Sequence, residues 1–285
     1  MWDAIEQAIG KSTGRSFQIL GRSSIGGGCI NDAQRLEGSD ETYFVKTNDR
    51  SFLPLFEAEA EALDEIAATE TIKAPTPICH GVAQERAFLV LEYLETGPGD
   101  SSSQKKLGER LARLHQVRKP RFGWTRDNAI GSTPQSNDPC DDWASFYREQ
   151  RLRFQFDLAA QKGKRFRGSE KLLGRVSDLL AGHEVFPSLL HGDLWGGNAA
   201  CDTQGEPFVF DPATYYGDRE TDLAFTEMFG GFSPDFRSAY EETFPLDVGY
   251  SRRKVLYNLY HLLNHFNIFG GGYASSAQCS IDELL

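Results

Sequence analysis

The chain has no uncharged apolar run approaching the ~18 residues that a membrane-spanning helix needs. Its first residues, MWDAIEQAIGKSTG, are a short amphipathic stretch carrying acidic side chains, and they do not read as a signal peptide. Cysteine is scarce and scattered. Cys29, Cys79, Cys140, Cys201 and Cys279 are odd in number and form no C-x-x-C pair, the pattern of reduced thiols in a cytoplasmic protein. There is no basic excess: 30 Lys and Arg stand against 41 Asp and Glu, a net charge of −11. That argues against a nucleic-acid surface, which should be basic, but leaves room for a local anion site. The chain also lacks a Walker sequence G-x-x-x-x-G-K-[ST] and a strict G-x-G-x-x-G. His261 and His265 are an i,i+4 pair, but no Glu completes H-E-x-x-H and no third ligand is evident, so core or pocket histidines are expected rather than zinc. No internal repeat or low-complexity tract is present.

What remains is an ordinary globular composition, 40% hydrophobic and 25% charged. With 285 residues it makes one large domain or two small ones, big enough to need no disulfide or metal for stability. The pattern divides in two. Residues 1–94 read as a small mixed unit: a helix near Asp3 to Ile9, strands at Phe17–Leu20, Ile30–Leu36 and Thr42–Thr47, and a turn-rich stretch, GRSSIGGGCIND, between the first two strands. Phe56, Ala60, Leu63 and Ala67 then recur at helical spacing. Pro75 and Pro77 break the chain before an apolar strand at Ala87–Leu91. After a Gly-Pro-Ser hinge or loop at 96–103, residues 95–285 read as mainly helical. Leu107, Leu111 and Leu114 share a helix face, 118–142 is a long irregular loop, and Trp143–Ala160 and Ser169–Leu180 are helices. Ser233 and Pro234 start a late helix. Arg252–Phe269 is the last, ended by Gly270–Gly272.

Four groups of residues suit phosphoryl transfer. His191-Gly192-Asp193-Leu194-Trp195-Gly196-Gly197-Asn198 matches H-x-D-x-x-x-x-N, in which an Asp can accept a hydroxyl proton and an Asn oxygen can ligate Mg²⁺. Asp211 follows the apolar run Phe208-Val209-Phe210, where a strand can deliver a metal-bridging carboxylate; alone, Asp-Pro would be a turn. Lys46 ends the strand Phe44-Val45-Lys46 and is a point charge suited to phosphate oxygens. The next helix offers Glu57, Glu59 and Glu61 as partners. Glu59 lies beside the apolar face and can point inward, while at least one of the three is an ordinary solvated residue. Gly26, Gly27 and Gly28 allow close backbone approach to phosphates; in isolation a plain hairpin turn explains them better, and their position about 20 residues before Lys46 favours the phosphate reading.

The order of these pieces resembles the protein-kinase-like phosphotransferases, and His-Gly-Asp in place of His-Arg-Asp resembles their small-molecule branch, which includes aminoglycoside and choline kinases. GGGCINDA, YFVKTN, FEAEAEAL, LLHGDLWGGN, FDPATYYGDRETDLAFTEMFGGF and LNHFNIFGGGY together resemble the fructosamine kinase (ketosamine-3-kinase) family over nearly the whole chain. The resemblance implies an α+β bilobal fold, with a small N-terminal sheet lobe (1–94) that binds ATP and a larger helical lobe (95–285) that binds substrate. It implies transfer from ATP to the C3 hydroxyl of ketosamines, as small molecules or on glycated proteins. By the same resemblance Asp193 is the base, Asn198 and Asp211 hold Mg²⁺, and Lys46, held by Glu59, contacts the phosphates. The backbone at Glu92, Tyr93 and Leu94 is the adenine edge. Trp195 lies against the sugar or packs under its loop. His265 reaches the substrate. Asp222 caps the next helix and holds the catalytic loop. Some family members carry a redox-sensitive cysteine at the place of Cys29, where nearby positive charge would lower the thiol pKa. Two other readings are a kinase for another small hydroxylated amine, which the acidic surface would suit, and a nucleotide-binding regulator without turnover, which the complete Lys-Asp-Asn-Asp set disfavours.

Overall fold

Alternation along two neighbouring strands sets the geometry of the first half. A computed structural model of the protein describes residues 1–26 and 30–285; the expectations for Gly27, Gly28 and Cys29 lie outside the described residues. Helix α1 (Trp2–Thr13) leads into β1 (Gly21–Ser24), β2 (Asp32–Glu37) and β3 (Thr42–Asp49). Helix α2 (Leu53–Ala68) follows, then β4 (Pro77–Ala83) and β5 (Arg86–Glu92). The strands form one antiparallel sheet in the order β1-β2-β3-β5-β4. Successive side chains in a strand point to opposite faces. Val45 and Val90, paired across β3 and β5, turn with Tyr43 and Phe88 to α1, where Ile5 and Ile9 close a small core. Lys46 and Leu89, the next pair, turn the other way, toward α2. Pro54 sets the first turn of α2, and Phe56, Ala60 and Leu63 bury one face of it.

Both edge strands differ from expectation. Pairing begins at Gly21, inside the stretch read as a turn, and Phe17–Leu20 is not a strand. Gly21–Ser24 is an edge strand with largely exposed side chains, so it shows no hydrophobic alternation. Pro77 opens the other edge strand instead of only breaking the chain, at a position where its missing N–H costs no ladder bond.

The second half begins with α3 (Ser101–Leu114), inside the stretch expected to be a hinge. Asp100 and Ser103 form a capping box there, which makes the serines a helix start. The expected irregular loop contains a hairpin, β6 (Asn128–Ile130) and β7 (Thr133–Gln135). α4 (Trp143–Phe146) widens into a π-helical stretch, Tyr147–Arg153, before α5 (Phe154–Gln161). The helix expected over Ser169–Leu180 is two, α6 (Ser169–Leu173) and α7 (Val176–Leu179), parted at Gly174. β8 (Ser188–Leu190), β9 (Ala199–Cys201), β10 (Pro207–Val209) and β11 (Tyr215–Gly217) pair as β8 with β11 and β9 with β10. Helices α8 (Glu220–Thr226), α9 (Pro234–Thr243), α10 (Tyr250–Phe269) and α11 (Tyr273–Leu284) complete the chain. Ser233 caps α9 as expected. The expectation that α10 is the last helix is wrong: past the glycines the chain folds back and buries Ala277, Ile281 and Leu284 against α10 and its surroundings.

The larger core runs without a break from Phe56, Leu63 and Ile66 of α2 to Leu111, Trp143 and Tyr257 of the second half. α2 therefore belongs, by packing, to both halves. No described helix is long and apolar enough to cross a membrane.

A buried ion network braces the base of the second half. Asp218 accepts hydrogen bonds from His183 Nε2 at 2.8 Å, the Tyr257 hydroxyl and the Glu220 amide. Arg253 grips both oxygens of Glu220 at 2.7 Å. Burial alone would pull the His183 imidazole down, but the hydrogen bond and charge of Asp218 outweigh it and hold His183 above the ordinary histidine value. A raised folded-state pKa contributes stability that is complete below the unfolded value and lost as pH rises through the folded one. His183→Gln should therefore cost about 3 kcal/mol near pH 6. The gap in thermal midpoint between wild type and variant should narrow as the pH is raised to 9. A gap that stays constant with pH would remove the charged imidazole from this account.

Candidate active site

The site is assembled from side chains that meet between the sheet and the second half. Lys46, from β3, is 4% exposed. Its Nζ donates to Glu59 Oε1 at 2.6 Å on one side and to Asp211 Oδ1 on the other. Burial would lower the ammonium's pKa, but the Asp211 and Glu59 carboxylates outweigh it and hold Lys46 above its ordinary value. Burial in turn raises the Glu59 carboxyl, with Lys46 pulling against it. The choice among three glutamates follows from helix geometry. Residues 57 and 61 are one turn apart on one face of α2, and 59 is on another. Glu57 and Glu61 both bind Arg126, at 3.3 and 2.7 Å.

The buried pair Leu189–Leu190 of β8 delivers the loop that starts at His191. Gly192 has φ 84°, and a Cβ there would stand 2.0 Å from the Ala213 carbonyl oxygen. The middle residue of His-Gly-Asp can only be glycine in this packing. Asp222, reaching in from α8, accepts the His191 and Gly192 amides at 2.7 and 2.8 Å, and His115 Nε2 donates to it at 3.2 Å. Burial would raise Asp222, but the bond and charge of His115 with these amides hold it below the ordinary aspartate value. The expected loop-holding role fits this geometry. The expected capping role does not: Asp218 accepts the Glu220 amide at 3.0 Å and so starts α8. His191 Nε2 donates to the Phe210 carbonyl at 2.9 Å, tying the loop to the strand that carries Asp211.

Asn198 Nδ2 donates to the Asp193 carbonyl at 2.8 Å and to Asp193 Oδ2 at 3.2 Å. Burial pushes the Asp193 carboxyl well above the ordinary aspartate range, and the nearby Asp211 charge adds to the rise. Asp211 itself has φ 57°, in the left-handed region, just before Pro212. A non-glycine residue held there marks a strained turn that its surroundings must fix. The hairpin β6–β7 supplies part of that support. Asn128 donates to the Thr214 carbonyl at 2.8 Å, Gln135 to the Ala213 carbonyl at 3.1 Å, and Tyr260 to Gln135 Oε1 at 2.7 Å. Asn128 and Gln135 are buried and escaped the sequence reading, because an amide inside an apparent loop carries no local signature.

The other expected residues are placed more loosely. Gly26 precedes the undescribed residues. Tyr93 and Leu94 follow β5 outside any helix or strand, while the Glu92 amide donates to the Thr76 carbonyl at 2.8 Å and its carboxylate accepts from Thr76. Trp195 is 38% exposed, and its indole ring lies against Gly197 of its own loop, where a Cβ would stand 2.3 Å from the ring. His261 is buried and stacked on Phe225 at 3.6 Å, and burial drives its pKa down to about 3. It is a core residue. His265, one turn on, is half-buried among aromatic rings. The donors that face Lys46 suit a hard divalent cation. The amide nitrogen of Asn198 is engaged by Asp193, which leaves its oxygen, and Lys46 takes one oxygen of Asp211, which leaves the other.

A five-stranded antiparallel sheet with a lysine paired to a helix glutamate, beside a helical half with a His-x-Asp-x₄-Asn loop, defines a protein-kinase-like phosphotransferase. The solved choline kinase of Streptococcus pneumoniae shares the fold, with a TM-score of 0.67 over all of this chain and 98% of that one at 17% identity. A crystal structure described as a candidate fructosamine-3-kinase from Haemophilus somnus 129PT superposes with a TM-score of 0.94 at 34% identity, covering all of this chain and 98% of that one. The family model for fructosamine kinase matches residues 1–285, so the chain belongs to the fructosamine kinase family. A protein named probable ketoamine kinase from Synechocystis sp. is 47% identical over 285 residues, all of this chain and 97% of its own. The chloroplastic protein-ribulosamine 3-kinase of Oryza sativa subsp. japonica is 41% identical over 99% of this chain and 84% of its own.

Across the cleft α2 is clamped from behind. Arg126 holds Glu57, Glu61 and the Pro54 carbonyl, while Lys119, Trp124 and Tyr216 all donate to Glu65. These bonds set the position of α2 and hence of Glu59. Arg126→Ala should cost less than about 1 kcal/mol of stability, since the pair is partly exposed. It should weaken apparent ATP affinity roughly 3- to 10-fold, through loss of the coupling between α2 and Lys46. Arg126→Lys should recover part of the loss. Unchanged ATP affinity in steady-state kinetics of the alanine variant would show that α2 needs no clamp.

Proposed function

We propose that the protein is an ATP-dependent kinase that phosphorylates the C3 hydroxyl of ketosamines (ribulosamine, erythrulosamine or fructosamine, free or on protein lysines) and so serves in removing sugar adducts from amines in the cytoplasm. The observation that carries this reading is the single cluster of Lys46, Glu59, Asp193, Asn198 and Asp211 in a chain of the fructosamine kinase family.

ATP lies between the sheet and the catalytic loop, with Lys46 against its phosphate oxygens and the backbone at Glu92, Tyr93 and Leu94 along the adenine. Asp193 takes the hydrogen bond of the acceptor hydroxyl and accepts its proton as the oxygen attacks the γ-phosphorus, whose bond to the β–γ bridging oxygen breaks to release ADP. Asn198 fixes the Asp193 carboxylate through its amide, and Asp222 fixes the loop backbone beneath both. Mg²⁺ held by Asn198 and Asp211 would neutralise phosphate charge and offset the repulsion from Asp211 that raises Asp193. Positioning and charge neutralisation then supply most of the acceleration. The product chemistry completes the role. Enolisation between C1 and C2 places the C3 phosphate where β-elimination expels it as inorganic phosphate, and water then hydrolyses the resulting C1 imine to the free amine and a 3-deoxy dicarbonyl sugar.

Two measurements test the reading. Mass spectrometry of a ribulosamine peptide incubated with MgATP should show one added phosphate, which is lost with regeneration of the amine on mild heating. A heat-stable adduct would count against C3. Asp193→Asn should lower kcat on the order of 10³-fold and leave MgATP affinity nearly intact. Asp211→Asn should weaken MgATP binding at least about ten-fold as well. The opposite pattern would exchange the two roles, and near-wild-type turnover in both would end the kinase reading.

A further inference from the structure

Large apolar side chains exposed in one place carry more information than the same number scattered. Six large hydrophobics are exposed among the described residues, and three of them, Trp195, Phe229 and Phe269, gather on one side of the catalytic loop. They are linked by rings. Trp195 and Phe229 have centroids 6.5 Å apart, Phe229 and His265 5.0 Å, His265 and Phe269 5.8 Å, and His265 and Tyr273 5.1 Å. The backbone explains why Phe229 stands there. A Cβ on Gly196 of the catalytic loop would come within 2.9 Å of the Gly230 carbonyl oxygen, and one on Gly231 within 2.7 Å of Gly196 Cα. The Phe229–Phe232 turn is thus packed directly on the loop that holds Asp193 and Trp195.

The rest of the surface climbs α10. On α10, His265 and Phe269 lie one turn apart on one face, beyond His261, which is buried in the core. The ring centroids of Phe229, His265 and Phe269 follow one another at 5.0 and 5.8 Å, so this wall spans at most about 11 Å. His265 Nδ1 donates to the His261 carbonyl at 2.8 Å, and burial lowers its pKa below the ordinary histidine value. None of these side chains is a fixed cation that could answer a carboxylate.

We infer that Phe229, Phe269 and Tyr273 form the wall that receives the amine-bearing half of the acceptor and determines which amines are accepted. The inference rests on the ketosamine reading above. From C3 of the sugar through the nitrogen to the end of a four-carbon stem is about eight bonds, roughly 10 Å at ordinary bond lengths. That matches the face. The secondary ammonium of a ketosamine and the CH₂ groups beyond it both suit aromatic rings, the first through cation–π attraction and the second through apolar burial. The occupant is therefore a lysine side chain carrying the sugar on Nε, with its backbone emerging near the turn at Gly270–Gly272. A short amine, or one bearing its own carboxylate near the nitrogen, leaves the wall uncovered.

The test compares kcat/KM for the Nε-ribulosyl derivative of lysine capped at both backbone ends with that for ribulosyl-methylamine. Wild type should favour the lysine derivative about ten-fold or more, mainly through KM. Phe269→Ala and Phe229→Ala should each reduce that ratio about five-fold, and Phe269→Tyr should retain it. Phe269 is 54% exposed at a helix end, so its variant keeps the test available if Phe229→Ala lowers the thermal midpoint. A wild-type ratio near one, or ratios unchanged in both alanine variants, overturns the wall and leaves the ketosamine reading standing. Failure of wild type to turn over either compound overturns both.

Discussion

An ammonium group taken out of water stays charged only if carboxylates replace the water, and Lys46 has two such carboxylates from opposite sides of the cleft. Glu59 comes from the first half and Asp211 from the second. The position of α2, the register of β3 and the strained turn at Asp211 are therefore mutually dependent. If the sheet slipped by one residue, Lys46 would turn toward α1 and its apolar core, with no partner. The continuous apolar core through α2 and the ion pairs of Arg126 and Glu65 act in the same direction, since they hold the helix where Glu59 meets Lys46.

The catalytic loop follows a second constraint. It satisfies part of its own backbone, through the Trp195 amide to Asp193 and the Asn198 amide to Trp195, and several other polar groups are paired from outside. Asp222 takes two amides, His191 joins the loop to the Asp211 strand, and Asn128 with Gln135 holds the segment after Pro212. These partners are buried and bonded in several directions, which makes the arrangement rigid before any ligand arrives. Preorganisation of this kind suits phosphoryl transfer, where placement and charge do most of the chemistry.

The same packing leaves one side of the loop open and aromatic. Gly196 and Gly231 allow two backbone turns to touch, and that contact carries Phe229 to the side of Trp195. The Lys46 side of the loop is charged and built from both halves. The Trp195 side is aromatic and built from the second half alone.

Residue types and short spacings were enough to pick out His191 to Asn198, Asp211 and Lys46, because the chemistry needs particular groups at short, regular separations. Helical phase was enough to prefer Glu59 over its neighbours. Those choices depend on local geometry, which a linear sequence carries. The edge strands, the hairpin at 128–135, the helix after Gly272, the clamp at Arg126 and the capping role of Asp218 depended on the tertiary structure. Edge strands and short hairpins bury too little to print a pattern, and α11 follows a glycine turn that reads equally well as an end. Arg126 meets Glu61 across 65 residues and Gln135 meets Ala213 across 78. A polar side chain whose partner lies so far along the chain looks like any other until folding brings the two together.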